Sequence, residues 1–374
     1  MSTLKAEVVT IDRVKKHPNA DRLDCVIVKG WNVVAGRDDP STPRYKQGDK
    51  CLYIPIDSVL PEPLETLLFP PDGKIKLSKS RIKTIKLRGA VSQGMITDLE
   101  GLEALYPGIS LAKVGDDLTE ELGIIKYEPP VEDVPQHMQA KNAQHLKNPN
   151  FRKYTDIENF KNHNRLFEDG EMVYITEKLH GTSARYAMLE TMTNRWWKKV
   201  LKFFGLLPKY EFCYGSRNVQ LQGPGKKKFY YDENVYAKIA KQLRLDEVLQ
   251  PGEALFGEIV GSGIQKGYTY GCAEGEHRFY AYDVNIDGRW LPAQEFMEWC
   301  DSRGIERVPF ISICEYNEQF VRATAKGPSA IGNQPVREGI VIKAAAEENC
   351  YIGRKVLKLI NEDYELAKDN TEFH

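Results

Sequence analysis

Between Glu128 and Asn150 the chain changes character: Pro129, Pro130 and Pro135 fall in a polar stretch with the composition of a linker. A break of this kind obliges the residues on either side to bury cores of their own. With 374 residues there is length enough for two ordinary domains. The expected division is therefore residues 1–128, a linker over 129–150, and residues 151–374.

The two parts carry different patterns. In the first, short apolar runs are separated by turn residues: Glu7 to Val14, Leu23 to Lys29, Asp49 to Ile56, an alternation of apolar and basic residues, then Gly94 to Thr97. Such runs predict a small β-barrel. In the second, strand-like runs (Met172 to Thr176, Ala254 to Val260, Phe279 to Val284, Gly339 to Lys343) alternate with Asn234 to Leu243 and Ala293 to Arg303, whose apolar residues recur at helical spacing. The expected class is α+β.

The content of 41% hydrophobic and 28% charged residues is that of a folded protein. A formal net charge of −1 carries no global signal for a polyanion, so any such partner must be met by a local basic track. The opening MSTLKAEVVTIDRV lacks the apolar core of a signal peptide, and no apolar run is long enough to cross a bilayer. The expectation is an intracellular, cytoplasmic protein, monomeric, with no membrane partner. Seven cysteines stand singly, without a CxxC pair, and read as buried reduced thiols rather than as metal ligands or disulfides.

Chemistry is concentrated in the second part. In Thr176-Glu177-Lys178-Leu179-His180-Gly181-Thr182-Ser183 a lysine ends an apolar strand just before a glycine that permits close backbone approach to a ligand. Such a lysine is a candidate nucleophile, provided desolvation or nearby positive charge lowers its pKa. Further on, Tyr214-Gly215-Ser216-Arg217-Asn218 offers a guanidinium, whose forked donors match phosphate. Phe256-Gly257-Glu258-Ile259 and Arg337-Glu338-Gly339-Ile340 each set one acid beside a glycine on an apolar strand, and two such carboxylates facing one cleft hold Mg²⁺ or Mn²⁺ largely through water. In Phe279-Tyr280-Ala281-Tyr282-Asp283-Val284, strict alternation puts Phe279, Ala281 and Asp283 on one face and Tyr280 and Tyr282 on the other. Lys355-Val356-Leu357-Lys358 closes the series with cations on a strand.

Taken in order, these segments resemble the motifs of the covalent nucleotidyltransferases, the superfamily of polynucleotide ligases and mRNA capping enzymes. Lys178-Leu179-His180-Gly181 is similar to the nucleophile motif in the histidine form found in several RNA ligases. The resemblance implies that Lys178 takes AMP from ATP, that Glu258, Glu338 and Lys358 are catalytic with Lys178, and that Glu258 and Glu338 hold the metal. It also implies a nucleotide site of Glu177, Lys178, Leu179, His180, Ser183, Arg217, Glu258, Tyr280 and Lys358, with Tyr282 in reserve for Tyr280 against the purine. Where several RNA ligases have a second lysine, two residues after Lys358, this chain has Ile360, and Lys343 or Lys355 stands in as candidate.

Only about sixteen residues follow Lys358, too few for the C-terminal OB domain usual in DNA ligases and capping enzymes. The extra domain comes first. Its segments His17-Pro18-Asn19-Ala20-Asp21-Arg22-Leu23 and Leu87-Arg88-Gly89-Ala90-Val91-Ser92-Gln93-Gly94-Met95 resemble signatures of tRNA-binding OB modules, barrels whose face binds single strands. Lys74, Lys76, Lys79, Arg81, Lys83, Lys86 and Arg88 form a candidate phosphate track. This layout resembles the RNA ligase family known from Deinococcus and Naegleria, which implies sealing of 3′-OH/5′-phosphate RNA ends or nicks in duplexes, as in RNA repair, with the first domain on the 3′-OH side. A GTP-using capping guanylyltransferase and a non-catalytic OB-fold RNA-binding protein are the competing readings. The aromatic and basic run Trp196 to Leu207 is read as an insertion on the catalytic domain, Gly223-Pro224-Gly225-Lys226 lacks P-loop spacing, and His137, His145, His163 and His277 are assigned nothing.

Overall fold

The structure, a computed structural model, describes residues 4–73, 76–127, 148–163, 165–191, 200, 204, 208–221 and 234–366. The chain divides into two compact units, residues 1–129 and residues 130–371. The Trp196 to Leu207 run apart from Val200 and Phe204, the Gly223-Pro224-Gly225-Lys226 segment, His137, His145, Lys74 and most of the expected linker lie outside the described residues. Among the described residues no helix is long and apolar enough to cross a membrane.

In the N-terminal unit, β1 (Glu7–Thr10), β5 (Lys50–Ile54) and β6 (Met95–Thr97) form one antiparallel sheet, and β2 (Arg13–Lys16), β3 (Leu23–Val28) and β4 (Trp31–Gly36) another. The period-2 pattern on β5 explains the arrangement: Cys51 and Tyr53 enter a cluster with Val26, Trp31 and Val33, while Leu52 and Ile54 enter a second cluster on the opposite face. A strand apolar on both faces is buried on both. The apolar-basic alternation becomes the short hairpin Ile85–Leu87/Ala90–Ser92, turned by Arg88 and Gly89, both with positive φ.

The two segments singled out near His17 and Leu87 meet in this unit. The buried His17 ring places Nε2 3.0 Å from the Leu87 carbonyl, while the Asn19 N–H donates to its Nδ1 (3.0 Å), so the Nε2-protonated tautomer satisfies both contacts. Asn19 Nδ2 donates to the Arg88 carbonyl (3.1 Å). One basic residue leaves the expected track: Arg81 is buried, paired with Asp57 and stacked over the Tyr127 ring at 4.0 Å. Alternation of sequence could not reveal that a charge among exposed lysines had a carboxylate waiting inside.

In the second unit, Glu158–Asn159, β14 (Val356–Ile360), β13 (Gly339–Ala344), β7 (Met172–Lys178) and β12 (Phe310–Glu315) make a five-stranded sheet in that order. A six-stranded sheet runs Gln220–Leu221, β9 (Tyr210–Ser216), β8 (Thr182–Glu190), β10 (Glu253–Gly261), β11 (His277–Ile286), Arg289–Trp290. One face of the first sheet, with Val173, Ile175, Ile340, Ile342, Leu357 and Leu359, packs into a cluster with Val321 of α3 (Glu318–Thr324). One face of the second, with Ala184, Tyr186, Leu255, Ile259, Phe279 and Ala281, packs under α1 (Val235–Gln242) and α2 (Ala293–Arg303). The Asn234 side chain caps α1 by accepting from the Ala237 N–H (3.1 Å), and Gly304 ends α2 in the left-handed region (φ 64°).

Strict alternation fails at one place. Leu255, Phe256 and Gly257 pair with Val284, Asp283 and Ala281, so the register shifts and Tyr282 is the extra residue of a β-bulge. As a result Phe279, Ala281 and Val284 share a cluster, instead of Phe279, Ala281 and Asp283.

Candidate active site

Lys178 is the last residue of β7, opposite Gly339 of β13, which lies opposite Ile360 of β14. Facing residues in adjacent strands share a sheet face, and so do residues two apart along a strand. Lys358, two residues before Ile360 and opposite Val341, thus lies on the same sheet face as Lys178. The other face is the apolar one already described, which leaves this one for chemistry.

The Lys178 ammonium is ion-paired with Oε1 of Glu338, whose side chain is fully buried while that of Lys178 is 26% exposed. Glu338 Oε2 has no hydrogen-bond donor among the described residues. A buried carboxylate with an oxygen left over is costly to keep unless a further cation or donor is to be received there. Next to the lysine, Glu177 is buried as well. Its Oε2 accepts from the Ala330 N–H (2.9 Å), its Oε1 has no donor among the described residues, and burial pushes the carboxyl above its ordinary range against the pull of Ala330, Ser329 and Arg337.

After Lys178 the chain turns directly into β8. The Gly181 N–H donates to Glu258 Oε1 (3.1 Å), and a Cβ on Gly181 would stand 2.3 Å from the Ile259 carbonyl oxygen, so this close crossing demands glycine. Ser183 lies opposite Glu258, and Glu258 opposite Tyr280, forming one row across three strands. Glu258 and Glu338 thus both touch the segment from Lys178 to Gly181, one at each end.

Leu179 and Tyr280 belong to one buried cluster with Val260, Tyr270 and Val308, against which Tyr282 and Ile331 pack. Tyr282 is turned toward the opening of β8, its hydroxyl 2.8 Å from Ser183 Oγ. The His180 ring is buried, edge-on to Tyr268 and Tyr364 with centroids 5.3 and 5.4 Å away, and the His180 backbone N–H donates to the Tyr270 hydroxyl (2.7 Å).

Arg217 follows β9, is half exposed and pairs with the exposed Asp156, a surface pair that yields easily. The two stand-ins for a second lysine fare differently from expectation. Lys355 lies beside the Phe167 ring of the opposite, apolar cluster and pairs with Glu171 (2.7 Å). Lys343 is on the site's face of the sheet but is buried, its ammonium donating to the Tyr282 carbonyl (2.9 Å) and pairing with Asp283 (3.1 Å). Neither offers a charge to phosphate, because each already neutralises a carboxylate.

Sequence reasoning passed over Asp283 and Arg185. Burial alone would raise the Asp283 carboxyl, but Lys343, Arg354 and the Tyr154 hydroxyl hold it below its ordinary range. This lock joins the two sheets behind Tyr282. Arg185 is buried, donating to the carbonyls of Ser216 (2.9 Å) and Phe151 (2.8 Å), and burial lowers its pKa to about 10. A charged residue on an apolar strand, at Arg185 in β8 and Asp283 in β11, was the available signal in both cases.

Among the described residues no group of three or more His, Cys, Asp or Glu could hold a metal ion by itself. Glu258 and Glu338 supply two oxygen-bearing side chains, a set that suits Mg²⁺ or Mn²⁺ only when phosphate and water complete the shell.

The chain resembles solved structures of the Naegleria gruberi RNA ligase over nearly its whole length. To an apo mutant it is 25% identical with a TM-score of 0.69, covering 98% of each chain. To a mutant with ATP and Mn it is 24% identical with a TM-score of 0.68, covering 96% of this chain and 97% of that one. To another with AMP and Mn it is 24% identical with a TM-score of 0.67 and the same coverage. Among curated proteins no match to the chain was found. An OB-fold domain model matches residues 5–99, and the RNA ligase family model matches residues 171–360, more than half of the 374 residues. The chain therefore belongs to the RNA ligase family.

Proposed function

We propose that this protein is an ATP-dependent RNA ligase that seals 3′-OH and 5′-phosphate RNA ends, in nicked duplexes above all, acting as a monomer in the cytoplasm. The observation that carries the reading is the pair formed by Lys178 at the end of β7 and the fully buried Glu338, with Glu258 of β10 accepting from the Gly181 N–H of the following turn. The Naegleria gruberi structures with ATP and Mn and with AMP and Mn support adenine nucleotide and a divalent metal as its partners.

In the proposed reaction Lys178 Nζ attacks the α-phosphorus of ATP, a P–N bond forms and pyrophosphate leaves. AMP then passes to an RNA 5′-phosphate, and a 3′-OH displaces it as the phosphodiester forms. An ammonium has no lone pair, so its proton must go first, and Glu338 Oε1 is the adjoining acceptor. The base enters the cluster of Leu179 and Tyr280, where Glu177 Oε1, an acceptor without a donor among the described residues, suits the exocyclic amine of adenine and not the carbonyl of guanine. Lys358 and Arg217 face the phosphates. Glu258 and Glu338 would hold the metal, which would neutralise phosphate charge. The N-terminal unit holds the 3′-OH side of the nick.

Purified protein incubated with Mg²⁺ or Mn²⁺ and ATP or GTP labelled at the α-phosphate tests this. Label is expected on the denatured polypeptide from ATP alone, and none on Lys178→Ala. Label from GTP would replace the reading with a capping guanylyltransferase, and no label on folded, nucleotide-free protein would leave an RNA-binding protein.

A further inference from the structure

The N-terminal unit contains a cleft of about 540 Å³ with a composition that singles out its ligand. Its floor is apolar, with Val33, Ile82 and Ile96 buried beneath it, and the half-buried ring of Phe69 stands at its side. Among the described residues four cations line it and no Asp or Glu does. Two of the four, Arg44 and Arg81, have their charge met by Asp98 and Asp57, while Lys76 and Lys83 are exposed at the rim. Residues 73–97 include no acid at all.

The geometry points to this cleft as the site for one unstacked nucleotide of a single-stranded RNA segment, its base on the apolar floor beside Phe69 and its phosphates at Lys76 and Lys83. That RNA is the occupant rests on membership of the RNA ligase family and on the ligase reading above. The chemistry follows from the shape of the ligand: a nucleotide is apolar and planar at one end and anionic at the other. A duplex keeps its bases stacked inside and presents only phosphate, so it uses the rim and leaves the floor empty.

The wall of the cleft explains two sequence segments. Ile85, Leu87 and Ser92 of the hairpin line it beside Val33 to Gly36 of β4. The hairpin is moored by His17 to the Leu87 carbonyl, by Asn19 to the Arg88 carbonyl, and by the Val34 N–H donating to Ser92 Oγ (3.0 Å). The residues near His17 thus hold the wall in place and need not touch RNA.

Two independent variants of the full-length protein test the site: Ile85→Glu, at a position 40% exposed, and the pair Lys76→Glu with Lys83→Glu, both exposed. Each is measured for binding of a short single-stranded RNA carrying 2-aminopurine and of the same sequence as a duplex, with the urea midpoint confirming the fold. Both variants should weaken single-strand binding by about tenfold or more, the scale of one stacked base or two phosphate contacts, and abolish the rise in 2-aminopurine emission expected with the unaltered protein. Unchanged affinity and emission in whichever variant folds would overturn the proposal. So would equal losses for single strand and duplex in Ile85→Glu, which alters the apolar wall and not the rim, or variant-sensitive binding of anionic phospholipid vesicles in place of RNA. Labelling of Lys178 by ATP is read in parallel. Its absence with the cleft-dependent RNA binding intact sinks the ligase reading alone, and its presence without that binding sinks the cleft alone.

Discussion

Gly181 and Glu177 show how much of the candidate site is decided atom by atom. A methyl at Gly181 would meet the Ile259 carbonyl oxygen at 2.3 Å and Glu258 Cγ at 2.9 Å, so Gly181→Ala must push β8 away from β10 and displace Glu258. We expect a loss of about 1–3 kcal/mol in urea-melt stability together with loss of self-labelling from ATP. Glu177 behaves oppositely. Its pKa is raised by burial, so the folded state holds the proton more tightly than the unfolded chain, and the penalty on folding sets in as pH rises through the unfolded value and is complete above the folded one. Glu177→Gln should therefore raise stability at pH 7 by about 1 kcal/mol, with the gain vanishing below the ordinary carboxyl pKa, where both states are protonated. Its labelling from ATP should fall at the same time, since the amide can turn a donor toward the adenine amine. Thermal melts at both pH values, read beside the labelling assay, separate the two effects.

Among the elements, β11 carries the joint between the sheets. The bulge at Tyr282 lets successive residues serve opposite ends: the Tyr282 hydroxyl reaches Ser183, while Asp283 meets Lys343 of β13 and Arg354. Asp283 is held below its ordinary pKa, so its contribution is present above the unfolded value and lost as pH falls through the folded one. Asp283→Asn should cost about 3–5 kcal/mol near neutral pH, because two buried cations lose their counter-charge, and the difference from the unaltered protein should shrink in acid. Calorimetry across pH checks this. A difference that stays constant with pH would assign the loss to packing instead.

For the molecule as a whole, each unit has apolar clusters of its own, which predicts that residues 148–374 fold when expressed without the N-terminal unit. The elements β7, β10, β13 and β14, on or beside which the residues of the proposed reaction lie, all belong to this part. The fragment should take label from ATP about as well as the full chain, yet seal a nicked RNA duplex at least about tenfold more slowly, since weak contacts along the strand are what position its 3′-OH. Comparing the two reactions on one preparation measures the unit's share. Equal sealing would remove the N-terminal unit from the proposed reaction.

Sequence by itself determined the class of each unit and the order of the chemical segments. Apolar runs of period two, helical spacing in α1 and α2, and glycines beside single charged residues are local signals, and locality is what a chain of letters preserves. Lys178, Glu258, Glu338, Tyr280 and Lys358 stood out through the resemblance of the ordered segments to known motifs, and the structure places Lys178 against Glu338, Glu258 as acceptor of the Gly181 N–H, and Lys358 on the same sheet face as Lys178. Only the tertiary structure decided which charges are spent. Arg81, Lys343 and Lys355 look alike in sequence to cations that await phosphate, but each is taken by a carboxylate distant along the chain, Asp57, Asp283 or Glu171. The bulge that moves Asp283 out of alternation likewise depends on the partner strand. Pairing of charge and register is settled by residues far apart in the chain, and burial makes each pairing too costly to leave undone.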